Sequence, residues 1–172
     1  MFQVDSNHVI KIYFRKYEKF RSRHNWSLLQ NVRAKDPTET YFVVDQWRRH
    51  LTVPMIQEMF GSELVDSFSK CPELEKFLRS ESIVEVSYQT RVDRPKWPLS
   101  LPQYLHLEKG LAKLHTEIGA THGDIQRANI GMLRGNPVLI DWDLADYIPS
   151  LDEYMNDLGA FRYMMEDTEF ED

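Results

Sequence analysis

The chain has 172 residues, 42% of them hydrophobic and 28% charged, a composition that fits one globular domain or two small lobes. The net charge of −6 argues against general nucleic-acid binding, and no apolar run approaches the roughly 20 residues that span a bilayer. A single cysteine excludes an internal disulfide and a zinc site built on cysteines. We therefore expect a cytoplasmic protein, or one injected into a host cytoplasm, that binds neither nucleic acid nor membrane.

Positive charge is concentrated near the N-terminus. Residues 1–50 contain ten Lys and Arg against five Asp and Glu, and much of this excess lies between Lys11 and Arg23. The ordinary interpretation is a solvated helix face. The alternative is a docking patch, between Arg15 and Arg23, for an anionic protein partner or for phosphates.

The first half of the chain predicts short strands and helices separated by turn residues. In chain order we expect a hairpin over residues 2–4 and 9–13, a helix over 16–32 ended by Asp36-Pro37, a strand over 41–44, short helices over 53–80 broken at Gly61 and Pro72, a strand over 82–88, and a connector over 91–98.

The second half begins with the clearest helix of the sequence. Ser100 and Gln103 form a capping-box pattern, apolar residues then recur at spacings of three and four, and Gly119 marks the end. A hairpin is expected next, with strands at 130–133 and 138–141 and a turn at 134–137. A final helix is expected over 151–165, followed by a frayed acidic tail over 166–172.

Three polar residues fall where this topology favours a metal and phosphate site. Asp124 lies in a loop and follows a glycine, Asn129 lies five residues later, and Asp141 ends the return strand of the predicted hairpin. Because a hairpin brings its two ends together, an amide oxygen and a carboxylate could hold one Mg²⁺. Phosphoryl transfer also needs a carboxylate that orients the acceptor hydroxyl and takes its proton.

The segment His122-Gly123-Asp124-x-x-x-x-Asn129 resembles the catalytic loop of the protein-kinase-like superfamily. Glycine at its second position is typical of the aminoglycoside phosphotransferase and choline kinase branch. Leu139-Ile140-Asp141-Trp142-Asp143 is similar to the metal-binding segment of that branch. The resemblance implies that Asp124 is the catalytic base and that Asn129 and Asp141 bind Mg²⁺. It also implies that Asp143 assists a second metal and that His122 packs under the loop.

Weaker matches extend the resemblance to other parts of the chain. Val9-Ile10-Lys11 looks like the strand whose lysine holds the α- and β-phosphates of ATP. Arg127, together with Gln126, replaces the catalytic-loop lysine of protein kinases, and would face the γ-phosphate or solvent. Asp157 resembles the buried helical aspartate that braces the catalytic loop, although a first-turn aspartate favoured by the helix dipole explains it nearly as well.

The resemblance implies an α+β, minimal two-lobe protein-kinase-like fold, with a reduced N-lobe sheet over residues 1–90 and a short helical C-lobe over residues 91–172. It implies an ATP- and Mg²⁺-dependent phosphotransferase that moves the γ-phosphate to a hydroxyl of a protein or a small molecule.

Departures from the family pattern support two other hypotheses. All seven glycines lie at or after Gly61, so no glycine-rich loop precedes Lys11. The helical glutamate that normally pairs with this lysine is replaced by His24 or Asn25, and Glu18 is the nearest acidic residue. A pseudokinase or interaction module that binds a partner through the basic N-terminal region is the first alternative, and a metal-dependent hydrolase is the second.

Overall fold

The computed structural model describes residues 1–13, 26–80, 83–147 and 150–166, and the chain is a mixed α+β protein, as expected. It forms two compact units, one of residues 1–23 and 45–91 and the other of residues 24–44 and 92–172. The sequence predicted a single boundary after residue 90, and the observed division differs from that prediction. The difference arises because residues in 24–44, among them Leu28 and Phe42, share an apolar core with C-terminal residues such as Phe161.

A four-stranded antiparallel sheet forms the centre of the first unit. Its spatial order is β1 (Phe2–Gln3), β2 (His8–Tyr13), β4 (Val84–Thr90) and β3 (Trp47–Leu51). The N-terminal hairpin and strand β4 are confirmed. Strand β3 was not predicted, because its sequence Trp-Arg-Arg-His-Leu carries three basic residues and no alternating apolar pattern.

Short helices cover the apolar face of this sheet. They are α2 (Val53–Phe60), α3 (Ser62–Asp66), a 3₁₀ turn (Ser67–Lys70) and α4 (Pro72–Ser80). The predicted breaks at Gly61 and Pro72 are confirmed. Ile10, Val86 and Ile56 are fully or almost fully buried in the resulting core.

The second unit is built around α5 (Leu101–Lys113), which continues as a π-helical turn (Leu114–Ile118). The predicted capping box is present, since Gln103 Oε1 accepts from the Ser100 backbone N–H at 3.1 Å. The helix ends at Gly119, whose φ of 71° is left-handed. Helix α1 (Trp26–Lys35) packs in the same unit.

The helix predicted over 16–32 is described only from Trp26 onward. The basic segment between Arg15 and Arg23 lies outside the described residues, as does the acidic segment 167–172. The predicted strand over 41–44 is wrong. Tyr41 is half-buried and residues 42–44 are buried, but only Phe42 forms a bridge, parallel to Leu139.

A hairpin and a final helix complete the second unit. Strands β6 (Ile130–Leu133) and β7 (Asn136–Leu139) pair antiparallel, and α6 spans Leu151–Glu166. The turn is only Arg134-Gly135, with φ of 53° and 83°, so the return strand begins two residues earlier than expected and ends before Asp141. Two residues with positive φ make a tight hairpin turn that needs no further loop.

Two short strands, β5 (Ala120–Thr121) and β8 (Asp146–Tyr147), pair on either side of the motif-bearing segment. Among the described residues, no helix is both long enough and apolar enough to cross a bilayer.

Candidate functional site

Asp124 lies in the loop between β5 and a 3₁₀ turn, Arg127–Asn129. Gln126 Nε2 donates to both carboxylate oxygens at 3.0 Å. Asn129 Nδ2 donates to Asp124 Oδ2 at 2.8 Å and to the Asp124 main-chain oxygen at 2.9 Å. The carboxylate is therefore fixed in direction by two side-chain amides, while Asp124 itself stays half-buried.

The two ends of the hairpin meet, as the sequence predicts. The Ile140 backbone N–H donates to the Asn129 carbonyl at 3.0 Å, one step beyond the Ile130–Leu139 pair. The buried Asn129 side chain uses its Nδ2 for Asp124, so its Oδ1 is the amide's acceptor atom. Asp141 follows Ile140 directly, which brings an amide oxygen and a carboxylate to the same end of the hairpin.

Asp141 has an uncommon backbone conformation. Its φ of 62° lies in the left-handed region, which costs most residues with a side chain about 1–2 kcal/mol. The next residue, Trp142, is buried and donates from Nε1 to the Val43 carbonyl at 2.9 Å. Strained backbone held by its surroundings is often found at functional sites, so this conformation supports a functional interpretation of Asp141.

His122 packs under the loop, as the resemblance implies. It is completely buried, its ring lies 4.7 Å from that of Trp142, and its Nε2 donates to the Ile140 carbonyl at 3.0 Å. Burial lowers the pKa of His122, although the charges of Asp157, Asp124 and Asp141 act in the opposite direction. A neutral imidazole with its proton on Nε2 fits this environment.

Asp157 of helix α6 braces the Asp124 loop. Its Oδ2 accepts from the His122 backbone N–H at 2.7 Å and from His115 Nε2 at 3.1 Å, and its Oδ1 accepts from the Gly123 backbone N–H at 2.9 Å. Burial by itself raises the pKa of Asp157, but these three hydrogen bonds outweigh burial and the pKa is lowered. The expected brace is confirmed, and the alternative of an ordinary first-turn aspartate is wrong, because Asp157 is the seventh residue of α6 and its side chain is buried.

Gly123 fits this loop because no larger residue can replace it without strain. Its φ is 75°, and a Cβ atom would overlap the Leu144 carbonyl oxygen. We expect Gly123→Ala to lower the free energy of unfolding by about 2–4 kcal/mol, from the left-handed backbone and the steric overlap together. Chemical denaturation measures this loss.

Gly159→Ala is the matched control for Gly123→Ala. Gly159 lies in helix α6 with open space around it, so alanine should be neutral or stabilise the protein by about 0.5–1 kcal/mol. Equal stability of the two variants would contradict the tight packing of the loop.

A cavity of about 490 Å³ opens beside Asp124. The described residues that line it include four carboxylates and no other charged group. They belong to Asp124, Asp146, Glu153 and Asp157, which lie alongside Thr121, Ile125, Leu144 and Asn156. Asp157 already accepts hydrogen bonds from the loop, whereas Asp146 is exposed and Glu153 is half-exposed. The cavity therefore combines a directed carboxylate with a strongly acidic surface.

The other predicted site residues are Asp143, Arg127 and Lys11. Asp143 is half-buried in a turn closed by the Ala145 N–H and the Trp142 carbonyl at 3.1 Å. The Arg127 guanidinium packs against the ring of Trp97, 5.0 Å from its centroid. Lys11 belongs to the other unit, on strand β2.

Sequence reasoning missed several residues around Asp124. Gln126 was noted only as a departure from the kinase pattern, although two residues from Asp124 is within reach of a side-chain hydrogen bond. His115 adjoins the apolar stripe of α5, which gives no sign of its contact with Asp157. Asp146 and Glu153 have no sequence signal, because their approach to Asp124 depends on tertiary packing.

The hydrogen bonds described above connect residues 122–129 with residues 139–143 within one unit of the fold. No model of a known family matches the chain, and no curated protein matches it with significant similarity.

Proposed function

We propose that the chain is an ATP- and Mg²⁺-dependent phosphotransferase. In this reaction the acceptor oxygen forms a bond to the γ-phosphorus, and the bond from that phosphorus to the β,γ-bridging oxygen breaks. Asp124 orients the acceptor hydroxyl and takes its proton, and ADP is the leaving group. Little covalent chemistry is required of the protein, so the positions of its charged groups dominate catalysis.

The observation that carries this proposal is the hydrogen-bonded unit of Asp124 and Asn129, braced by Asp157. A catalytic carboxylate must keep one direction while its acceptor binds, because misplacement lowers the effective concentration of the reacting groups. Two side-chain amides fix the Asp124 carboxylate, and the buried Asp157 of helix α6 fixes the loop backbone. This arrangement suits a general base better than it suits a surface turn.

The donor atoms fit magnesium. Mg²⁺ favours hard oxygen ligands and retains several waters, so it needs only one or two groups from the protein. Asn129 Oδ1 and the Asp141 carboxylate are such groups, and the half-buried Asp143 is a third candidate. When bound, the ion would neutralise charge that develops on the phosphates.

The acidic cavity supports a positively charged acceptor. Asp146 and Glu153 line the space beside Asp124, and carboxylates there attract cations and repel anions. A cationic alcohol or a serine in a basic peptide fits this charge. Incubation with γ-labelled ATP, Mg²⁺ and paired cationic and neutral alcohols or peptides tests the proposal. Transfer to the cationic member of each pair is expected, and transfer to neither member after a broad search would contradict it.

Replacing Asp141 should remove the metal dependence of nucleotide binding. We expect ATP to bind the wild type only with Mg²⁺, and Asp141→Ala to weaken that binding by about tenfold or more, since an interaction with a charged group is worth about 1.5–3 kcal/mol. Titration calorimetry with Mg²⁺ and with EDTA measures both. Asp141→Gly is the control for backbone strain at this left-handed position, and should show the same loss. Equal ATP affinity of the wild type in EDTA would refute the metal assignment.

Lys11 is proposed to contact the phosphates of ATP. We expect Lys11→Ala to weaken ATP by about tenfold while adenosine affinity changes little, because only the phosphates carry the charge that lysine recognises. Lys70→Ala removes an exposed lysine from the same unit and should affect neither ligand. A similar loss for ATP and adenosine would assign Lys11 a structural role.

The absence of glycine before Gly61 favours one alternative, a pseudokinase or interaction module without catalysis. In this hypothesis the basic region around Arg15, Lys19 and Arg23 binds a protein partner. Reversing these three charges would then abolish function, whereas replacement of Asp124 would not.

A further inference from the structure

A buried polar cluster lies on the face of the first unit's sheet that is opposite its apolar core. Lys11 and Arg48 both pair with Ser87, one from each side of the central strand β4. Side chains alternate between the two faces of a strand, so these residues share one face with Tyr13, away from the buried Ile10 and Ile12. Tyr13 and Ser87 are almost completely buried.

Asp45, which lies just before β3, brings a carboxylate to this cluster. Its Oδ2 forms an ion pair with Arg48 Nε and accepts from the Tyr13 hydroxyl at 3.5 Å. Lys11 Nζ and Arg48 Cζ lie 5.0 and 5.2 Å from the Tyr13 ring centroid, within the range of cation–π attraction. Glu85 adds a second buried carboxylate to this face, since it pairs with Tyr13 across β2 and β4. Two buried carboxylates and one aromatic ring therefore face two cations.

The electrostatics of Asp45 link it to both cations. Burial raises the pKa of Asp45, and the positive charges of Arg48 and Lys11 oppose this shift. A buried carboxylate is costly unless opposite charges compensate it. The positive charge of Lys11 therefore favours the carboxylate form of Asp45, and by reciprocity a negative charge on Asp45 favours the ammonium form of Lys11.

We infer that Asp45 is a positioning residue for Lys11, which it holds on this face of the sheet through its negative charge and its contact with Tyr13. The strand lysine thereby gains an acidic neighbour from the segment before β3. The benefit of this arrangement for ATP binding rests on the proposed function, but the coupling of Asp45 with Lys11 does not.

Amine labelling measures the coupling without any nucleotide. An acylating reagent reacts only with the uncharged amine, so loss of a nearby carboxylate should accelerate labelling of Lys11. We expect Asp45→Asn to label Lys11 about threefold to tenfold faster than the wild type, as quantified by peptide mass spectrometry. Lys70 is the internal reference and its rate should not change. An unchanged rate at Lys11 would overturn the inference.

Arg48→Gln tests the same coupling with the opposite sign. It removes the cation that competes with Lys11 for Asp45, so Lys11 should label severalfold more slowly. If circular dichroism shows that Asp45→Asn disrupts the unit, the Arg48→Gln variant decides. Slower labelling of Lys11 supports the coupling, and unchanged or faster labelling refutes it.

Nucleotide binding separates this inference from the proposed function. Asp45→Asn should weaken ATP about fivefold with adenosine unchanged, and should have no further effect in a Lys11→Ala background. If labelling changes as expected but ATP affinity does not, the coupling stands and the proposed phosphate contact of Lys11 fails.

Discussion

Asp124→Asn is expected to reduce phosphoryl transfer by about 10²–10⁴-fold, the usual contribution of general base catalysis. The substitution preserves the shape of the side chain and one acceptor for Gln126 and Asn129, but it removes the proton acceptor. ATP–Mg²⁺ affinity should stay similar or rise slightly, because one negative charge is lost. Single-turnover kinetics with γ-labelled ATP and calorimetry measure the two quantities separately.

Asp146→Asn is the matched control for Asp124→Asn. Both carboxylates line the same cavity, but only Asp124 is held by two side-chain amides. Asp146→Asn should raise KM for a cationic acceptor and leave kcat within a few-fold of the wild type. A loss of kcat as large as that of Asp124→Asn would mean that cavity charge, rather than one base, controls the reaction.

The interaction-module hypothesis predicts a different result for Asp124→Asn. A cellular function that depends only on partner binding would survive this variant and disappear on charge reversal of Arg15, Lys19 and Arg23. Full function with Asp124→Asn, in protein shown to be folded by circular dichroism, would exclude the catalytic proposal even if ATP binds.

Asp157→Ala is expected to have the largest effect on stability. It leaves the His122 and Gly123 backbone N–H groups and buried His115 without their acceptor, and each unsatisfied buried donor costs about 1–3 kcal/mol. We expect a loss of about 3–5 kcal/mol and a fall in the melting temperature of roughly 10 °C. Differential scanning calorimetry measures this change.

Asp152→Ala is the control on the same helix. Asp152 is exposed in the first turn of α6, so its removal should cost less than about 1 kcal/mol of helix-dipole interaction. Comparable losses for the two variants would mean that helix charge, rather than the brace, stabilises the unit.

The lowered pKa of Asp157 also predicts a dependence of stability on pH. A carboxylate whose pKa is lower in the folded than in the unfolded state contributes its full stability above its ordinary pKa of about 3.9. That contribution is lost as the pH falls through the lowered value. Wild-type protein should therefore lose stability below about pH 4 more steeply than Asp157→Ala in urea denaturation at a series of pH values.

The sequence predicted the elements whose signals are local. The capping box of Ser100 and Gln103, the breaks at Gly61 and Pro72, and the meeting of Asn129 with the end of the return strand all depend on a few neighbouring residues. Such interactions are nearly independent of the rest of the fold, and hence can be inferred without it.

Elements determined by tertiary packing were missed. Strand β3 forms from a basic sequence because it pairs with the edge of β4 and buries Leu51. Residues 41–44 are apolar enough for a strand, yet they fill a core instead of joining a sheet. The acidic cavity likewise depends on how α6 packs near the Asp124 loop, which no local pattern specifies.

The brace from Asp157 reaches back 34 and 35 residues along the chain to Gly123 and His122. A fragment that ends before helix α6 would contain every residue of both quoted motifs, yet its loop would lack the acceptor that orders it. Residues 122–143 are therefore not expected to keep this loop structure when they are separated from helix α6. In native-state hydrogen exchange the His122 and Gly123 amides should exchange only when α6 detaches, so their protection reports on the docking of the last helix rather than on local motion of the loop.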